Sequence, residues 1–184
     1  MTDGGQFSAI VVPVDFAEAP EDESDVRGFI ADAGTHRVAF SPATVAAVTL
    51  AAGVAASNEA TLHLVHAVPP MQSSAIYQGP VSVPSKIIDE IHERAETTST
   101  AAMTALVAEH VHVKDTSLPV QLHAAPGNAL RYVLERARAV QADLIVMAAS
   151  GRSRVARFFV GSTADRIIRE ALCPVLVVPA HRDE

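Results

Sequence analysis

Five short stretches of the chain are apolar almost without interruption, and the segments between them repeat their apolar residues at helical spacing. The runs SAIVVPVD (residues 8–15), TLHLVHAV from Thr61, LPVQLHAA from Leu118, DLIVMAA from Asp143 and PVLVV from Pro174 are rich in β-branched residues. That pattern suits strands covered on both faces in a parallel sheet. Leu130, Val133, Leu134 and Ala137 fall at i, i+3, i+4 and i+7, and Ala164, Ile167, Ile168 and Ala171 repeat the spacing, which predicts two amphipathic helices. A longer helix is predicted over residues 85–110, with Ile87, Ile88, Ile91, Ala95, Met103, Leu106 and Val107 on its apolar side. Residues 44–56 also read as helix but carry no charge, so this helix is expected to be deeply buried or covered by a partner. Strands alternating with helices imply crossover βαβ units, hence an α/β fold around a parallel sheet.

Two segments break the alternation. Residues 69–85 are rich in Pro, Ser and Gly and read as a long loop after the second strand. Residues 17–40 hold six acidic residues against Arg27 and Arg37, and their acidic front half is expected to be mobile. The whole chain has 184 residues, 49% of them hydrophobic, the size of one compact domain. Its formal net charge of −7 argues against wholesale binding of nucleic acid or anionic lipid. The single cysteine, Cys173, excludes an intramolecular disulfide, and neither a leader pattern nor an unbroken apolar run of spanning length is visible. A cytoplasmic protein without membrane attachment is the expectation.

In an open parallel sheet, ligands bind beyond the carboxyl ends of the strands, where the winding direction reverses. That rule selects Asp15 after the first strand, Ala67 and Val68 after the second, and residues 148–151 after the fourth. Gly161, Ser162 and Thr163 precede the last helix, where unpaired backbone N–H groups and the helix dipole favour an anion such as phosphate. Ser162 followed three residues later by Asp165 also reads as an ordinary capping box. The arginines around these positions, Arg152, Arg154, Arg157, Arg166 and Arg169, could offset phosphate charge or simply be solvated.

The tripeptides VDF at residues 14–16, SGR at 150–152 and GST at 161–163, followed by CPVLVV at 173–178, occur in one order. Together they resemble the universal stress protein family, over nearly the whole chain. Nucleotide-binding members of that family carry Gly, two residues, Gly, nine residues, then Gly with Ser or Thr. Gly151, the nine residues 152–160 and Gly161-Ser162 match this pattern, whereas Ala148 replaces the first glycine.

The resemblance implies a three-layer, Rossmann-like fold of the adenine nucleotide alpha hydrolase-like kind, with five parallel strands in the order 3-2-1-4-5. It also implies a homodimer made through the last strand, Val175 to Val178. It places Pro13, Val14 and Asp15 near an adenosine, Ala67 against adenine, and Ala148, Gly151, Arg152, Gly161, Ser162 and Thr163 along the phosphates. ATP or another adenine nucleotide is the implied ligand, with Mg²⁺ as an ion that could bridge carboxylates and phosphates. Family members often run on from the first aspartate as DFSPAS. Here DF stands at Asp15-Phe16 and SPAT only from Ser41, so residues 17–40 look inserted in a single domain spanning 1–184.

Other polar residues have plainer readings. His110 with His112, and Asp89 with His92, lack a third and fourth metal ligand nearby in sequence. His63 and His66 lie in an apolar strand and read as hydrogen-bonded structural histidines, and Cys173 as a structural thiol. No Ser-His-Asp order, nucleophile elbow or Walker lysine is visible, and no catalytic residue is assigned. Slow nucleotide hydrolysis would have only Asp15 and the acids of residues 17–40 as bases. Three functions follow: a nucleotide-binding stress-response regulator or signalling dimer, the same fold acting without nucleotide as an interaction module, and a nucleotide hydrolase.

Overall fold

A computed structural model of the chain describes residues 7–26, 28–69, 84–112, 117–149 and 161–179. Its main sheet is made of β1 (Ala9–Pro13), β5 (Thr61–Val68), β6 (Val120–Pro126), β7 (Leu144–Ala148) and β8 (Val175–Val178), in the order β6-β5-β1-β7-β8 and parallel throughout. Counting these five strands alone gives the expected order 3-2-1-4-5. Strand β1 is central, in register with β5 from Ala9↔Thr61 to Pro13↔Val65 and with β7 at Ile10↔Leu144 and Val11↔Ile145. The start of β1 is fixed by Asp143, whose Oδ2 accepts from the backbone N–H of Ser8 at 2.7 Å and of Ala9 at 3.1 Å.

Helices α1 (Pro42–Ser57) and α2 (Ser85–His110) cover one face of the sheet, and α3 (Ala129–Ala139) and α4 (Ser162–Glu170) the other. Ile10, Val12, Leu62, Leu64 and Val146 point to the first face, Val11, Val65 and Ile145 to the second, as the two-residue period of a strand requires. Ser41 caps α1, its Oγ accepting from Thr44 N–H at 3.1 Å, with Pro42 at the first helical position. Ala43, Thr44, Ala47, Val48, Ala51, Ala52 and Ala55 are buried, but Leu50 is 44% exposed and Gly53 is also exposed. The uncharged helix is thus half embedded rather than wholly buried. In α2 only Ser99, Ala102, Met103 and Leu106 are buried. The periodicity around Ile87 does not reach the core, since that residue is 45% exposed.

Residues 17–40 are not the loosely acidic excursion that their charge suggests. With Phe16 they form a second, antiparallel sheet of β2 (Phe16–Glu18), β3 (Phe29–Ala33) and β4 (His36–Phe40), in the order β2-β4-β3. The tight turn at Gly34-Thr35 has Gly34 at φ 72°, a conformation that favours glycine. A side chain at Gly28 would place its Cβ 1.7 Å from the Phe40 carbonyl oxygen, so only glycine permits that approach. Ala31, Ala33, Val38 and Phe40 are buried in the same core as α1 and α2. Even the acidic front half is tied down: Asp22 caps a 3-10 turn at Glu23–Asp25, and Glu23 pairs with Arg37, which also bonds Asp32 at 3.2 Å.

Candidate functional site

The winding direction reverses between β1 and β7, since the chain goes from β1 to β5 and β6 on one side and then crosses to β7 and β8 on the other. The crevice beyond the carboxyl ends of β1 and β7 is therefore the place where such a sheet offers a site. Pro13 ends β1, and Ala148 ends β7. Val14 is 4% exposed, its N–H donating to the Val65 carbonyl at 2.9 Å. Its own carbonyl accepts from His66 Nδ1 at 2.8 Å, so Nδ1 carries the proton in this tautomer. These bonds hold Asp15, half-buried, at the mouth of the crevice, with Ala67 half-buried at the end of β5. Phe16 stacks on the His66 ring, at 4.2 Å between centroids and 20° between planes.

On the other side of the crevice, Ala149 N–H donates to the Val178 carbonyl and the Ala149 carbonyl accepts from Gly161 N–H, both at 2.9 Å. The chain thus leaves and returns at one point, and Gly161 is the N-cap of α4. This differs from two sequence expectations. The capping box is absent, because Ser162 is already inside the helix and no side chain caps it. The Gly161 N–H is committed to Ala149, so the unpaired donors are those of the first helical turn, beginning at Ser162 and Thr163. Both of those residues are exposed. Gly161 has φ −58° and ψ 152°, and a Cβ there would meet only the Ala149 oxygen at 3.7 Å. The fold itself does not require glycine at 161; room in front of the helix does. Ala148 is not among the residues with positive φ, so alanine is unstrained there and what it adds to the crevice is a methyl group.

Gly151 and Arg152 lie outside the described residues, as do Arg154 and Arg157. Arg166 and Arg169 are engaged along α4, with Glu170 at 3.1 Å and Asp165 at 2.8 Å. Among the described residues no group of three or more His, Cys, Asp or Glu could hold a metal ion. A cavity of about 300 Å³ lined by Leu134, Ala137, Ile145, Leu172 and Cys173 opens at the amino end of the sheet, away from this crevice. Burial, with Asp143 nearby, pushes the Cys173 thiol above its ordinary value, consistent with a structural role. His63 and His66 are hydrogen-bonded, as expected. Sequence reasoning missed two arrangements: the Phe16–His66 stack and a pairing of His63 with His123 across β5 and β6. The alternation of HRVAF behind the Gly34-Thr35 turn signals the small sheet that places Phe16; nothing in the sequence gives the register that joins the histidines.

The crevice and the strand order define an open α/β fold with a five-stranded parallel sheet, and sequence comparison narrows the class. The sequence model of the universal stress protein family matches residues 38–179. Universal stress protein A homolog 1 of Coxiella burnetii is 32% identical over 139 residues, which are 76% of this chain and 90% of that protein. The chain belongs to the universal stress protein family. A match to universal stress protein MJ0531 of Methanocaldococcus jannaschii, 41% identical over 63 residues, takes in 35% of that protein. Among solved structures, hypothetical protein MJ0577 superposes with a TM-score of 0.68 at 15% identity, covering 97% of this chain and 100% of that one. A universal stress protein in complex with cAMP superposes with a TM-score of 0.55 at 19% identity, covering 96% and 100%. At these identities the likeness is one of fold.

Proposed function

We propose that the chain binds an adenine nucleotide, ATP in the first instance, in the crevice between Asp15 and the start of α4, and acts in the cytoplasm as a stress-response regulator or signalling dimer. The observation that carries this reading is the junction at Ala149 and Gly161, which opens the first turn of α4 beside the switch point. Ser162 and Thr163 would supply backbone donors and hydroxyls to phosphate oxygens, while Asp15, with Pro13, Val14 and Ala67, would receive the adenosine. Gly151 and Arg152 complete the site by analogy with the family pattern. The solved relative in complex with cAMP supports an adenine ligand. Mg²⁺ would enter on the phosphates, since the described residues hold no ready cluster of ligands for it. Among the described residues none is assigned to catalysis, and residues 17–40 are an insertion within one domain.

Acid extraction of the purified, folded protein tests this directly. An adenine nucleotide should appear in the supernatant, and ATP added back to stripped protein should give a calorimetric signal, with and without Mg²⁺. Absence of any released nucleotide, together with flat titrations against ATP, ADP, AMP and cAMP, would return the chain to the ligand-free interaction module.

The dimer through β8 is part of the same proposal. β8 is an edge strand whose four residues carry no charge, the kind of edge that must be covered to avoid aggregation. Leu176 is 40% exposed, and Ile168 at 43% and Leu172 at 81% are exposed in the preceding segment. Val177 instead packs against the α3–α4 core, so Leu176 is the position at which to intervene. Sedimentation of Leu176→Lys should show monomers where the parent shows dimers; a monomeric parent at micromolar concentration would remove the interface.

A further inference from the structure

We propose that His63, His123 and Arg136 form a receptor for a small oxyanion, a phosphate or a carboxylate group, separate from the nucleotide crevice. His63 on β5 is buried, and its Nδ1 lies 3.1 Å from Nε2 of His123 on the neighbouring edge strand β6. The two rings are nearly parallel, 18° apart. Arg136 on α3 is near enough for its charge to oppose protonation of both rings, and its guanidinium lies 5.9 Å from the Tyr132 ring centroid. The Nε of Arg136 is buried and has no hydrogen-bond partner, an arrangement that calls for explanation in a folded protein.

The charges around this cluster are one-sided. The sequences of β5, TLHLVHAV, and β6, VQLHAAP, contain no acid. The one acid of α3 is Glu135, and it is held by Arg131 at 2.7 Å on the exposed side. Among the described residues no carboxylate pairs with Arg136. Burial first, then Arg136, hold both imidazoles below the ordinary histidine range, His123 at about 4, with His63 adding to the effect there. The pair is therefore neutral at pH 7, one ring donating and the other accepting. An oxyanion would satisfy the guanidinium and reverse the penalty on protonating the rings, so binding and proton uptake support each other. The cluster stands apart from the crevice: His63 precedes Ala67 by four residues along β5, about 13 Å.

Histidine ring NMR reads this out. The midpoint of His123 should rise by about one pH unit, a tenfold gain in proton affinity, when sodium phosphate replaces sodium chloride at equal ionic strength. A parallel series in sodium acetate tells a carboxylate from a phosphate preference. In Arg136→Gln the midpoint should be higher in chloride, because the cation is gone, and should no longer respond to phosphate or acetate. The response should persist in Gly161→Val, in which the nucleotide crevice is blocked. Identical midpoints in phosphate, acetate and chloride would overturn the proposal, as would loss of the phosphate response in Gly161→Val, which would assign the anion to the crevice.

Discussion

Valine in place of Gly161 is expected to abolish the proposed ATP binding and leave the fold standing. The backbone at 161 is extended, with φ −58° and ψ 152°, a conformation open to any residue. A Cβ there makes one ordinary contact, 3.7 Å from the Ala149 oxygen. The structural cost is the poor N-cap quality of valine, about 0.5–1 kcal/mol, or a melting temperature lower by roughly 1–4 °C. The functional cost is of another order. Donors at a helix start are aimed by the chain and work only if the anion can come close, and a branched side chain at the N-cap stands in front of Ser162 and Thr163. Calorimetry should show a loss of more than about a hundredfold, roughly 3 kcal/mol, with Gly161→Ala in between. A valine variant that binds ATP as tightly as the parent would remove this turn from the site.

Phe40→Ala will destabilise the protein by about 3–5 kcal/mol, the usual cost of emptying a buried phenylalanine site, and lower the melting temperature by roughly 6–20 °C. Phe40 is 1% exposed and lies between two other rings, edge-on to Phe16 at 5.3 Å and stacked with Phe29 at 6.0 Å. Phe29 in turn meets His110 at the end of α2. All three rings belong to the small sheet, and the cluster centred on Phe40 ties that sheet to the main body through Phe16 on His66 and Phe29 on His110. Urea denaturation followed by far-UV circular dichroism measures the change; a difference under about 1 kcal/mol would mean that the small sheet unfolds on its own and adds little to global stability. The same packing means that excising residues 17–40 would strip a wall from the core as well as remove charge. Neutralising Glu18, Glu21 and Asp22, all exposed, is the milder way to ask whether their charge repels phosphates.

Why the parallel sheet was legible in the sequence is plain from Val11, Leu64 and Val146. Each lies on a strand buried on both faces, and a strand so placed has to be written as a continuous apolar run. The helices α3 and α4 were readable for the same reason, since one stripe of each meets the core and the rest meets water, although Ile168, read as part of the α4 stripe, is 43% exposed. The small sheet was obscured by its own acids. Glu21, Asp22 and Glu23 suggest a solvated segment, yet the structure is decided by Val38 and Phe40 pointing inward and by Gly28 yielding room to a carbonyl. At the crevice, sequence reasoning placed Asp15, Ala148 and Gly161 at the correct strand and helix ends. It could not see that the Gly161 N–H is spent on Ala149, because that bond depends on where β7 stops. Nor could it pair His63 with His123, since register between two apolar strands is set by tertiary packing.

The central position of β1 bears on how the chain is made. Its partner β7 begins more than a hundred residues later. At about 5–20 residues per second, ribosomal synthesis takes roughly 7–26 s to reach β7 after β1 has been completed. During that interval β5 can dock on one side of β1 while the other side keeps a row of unsatisfied amides and carbonyls. Asp143, which later clasps Ser8 and Ala9, has yet to be synthesised. A nascent chain of this design is most open to wrong strand partners in the middle of its translation, and a codon-level slowdown before Asp143 would lengthen that exposure.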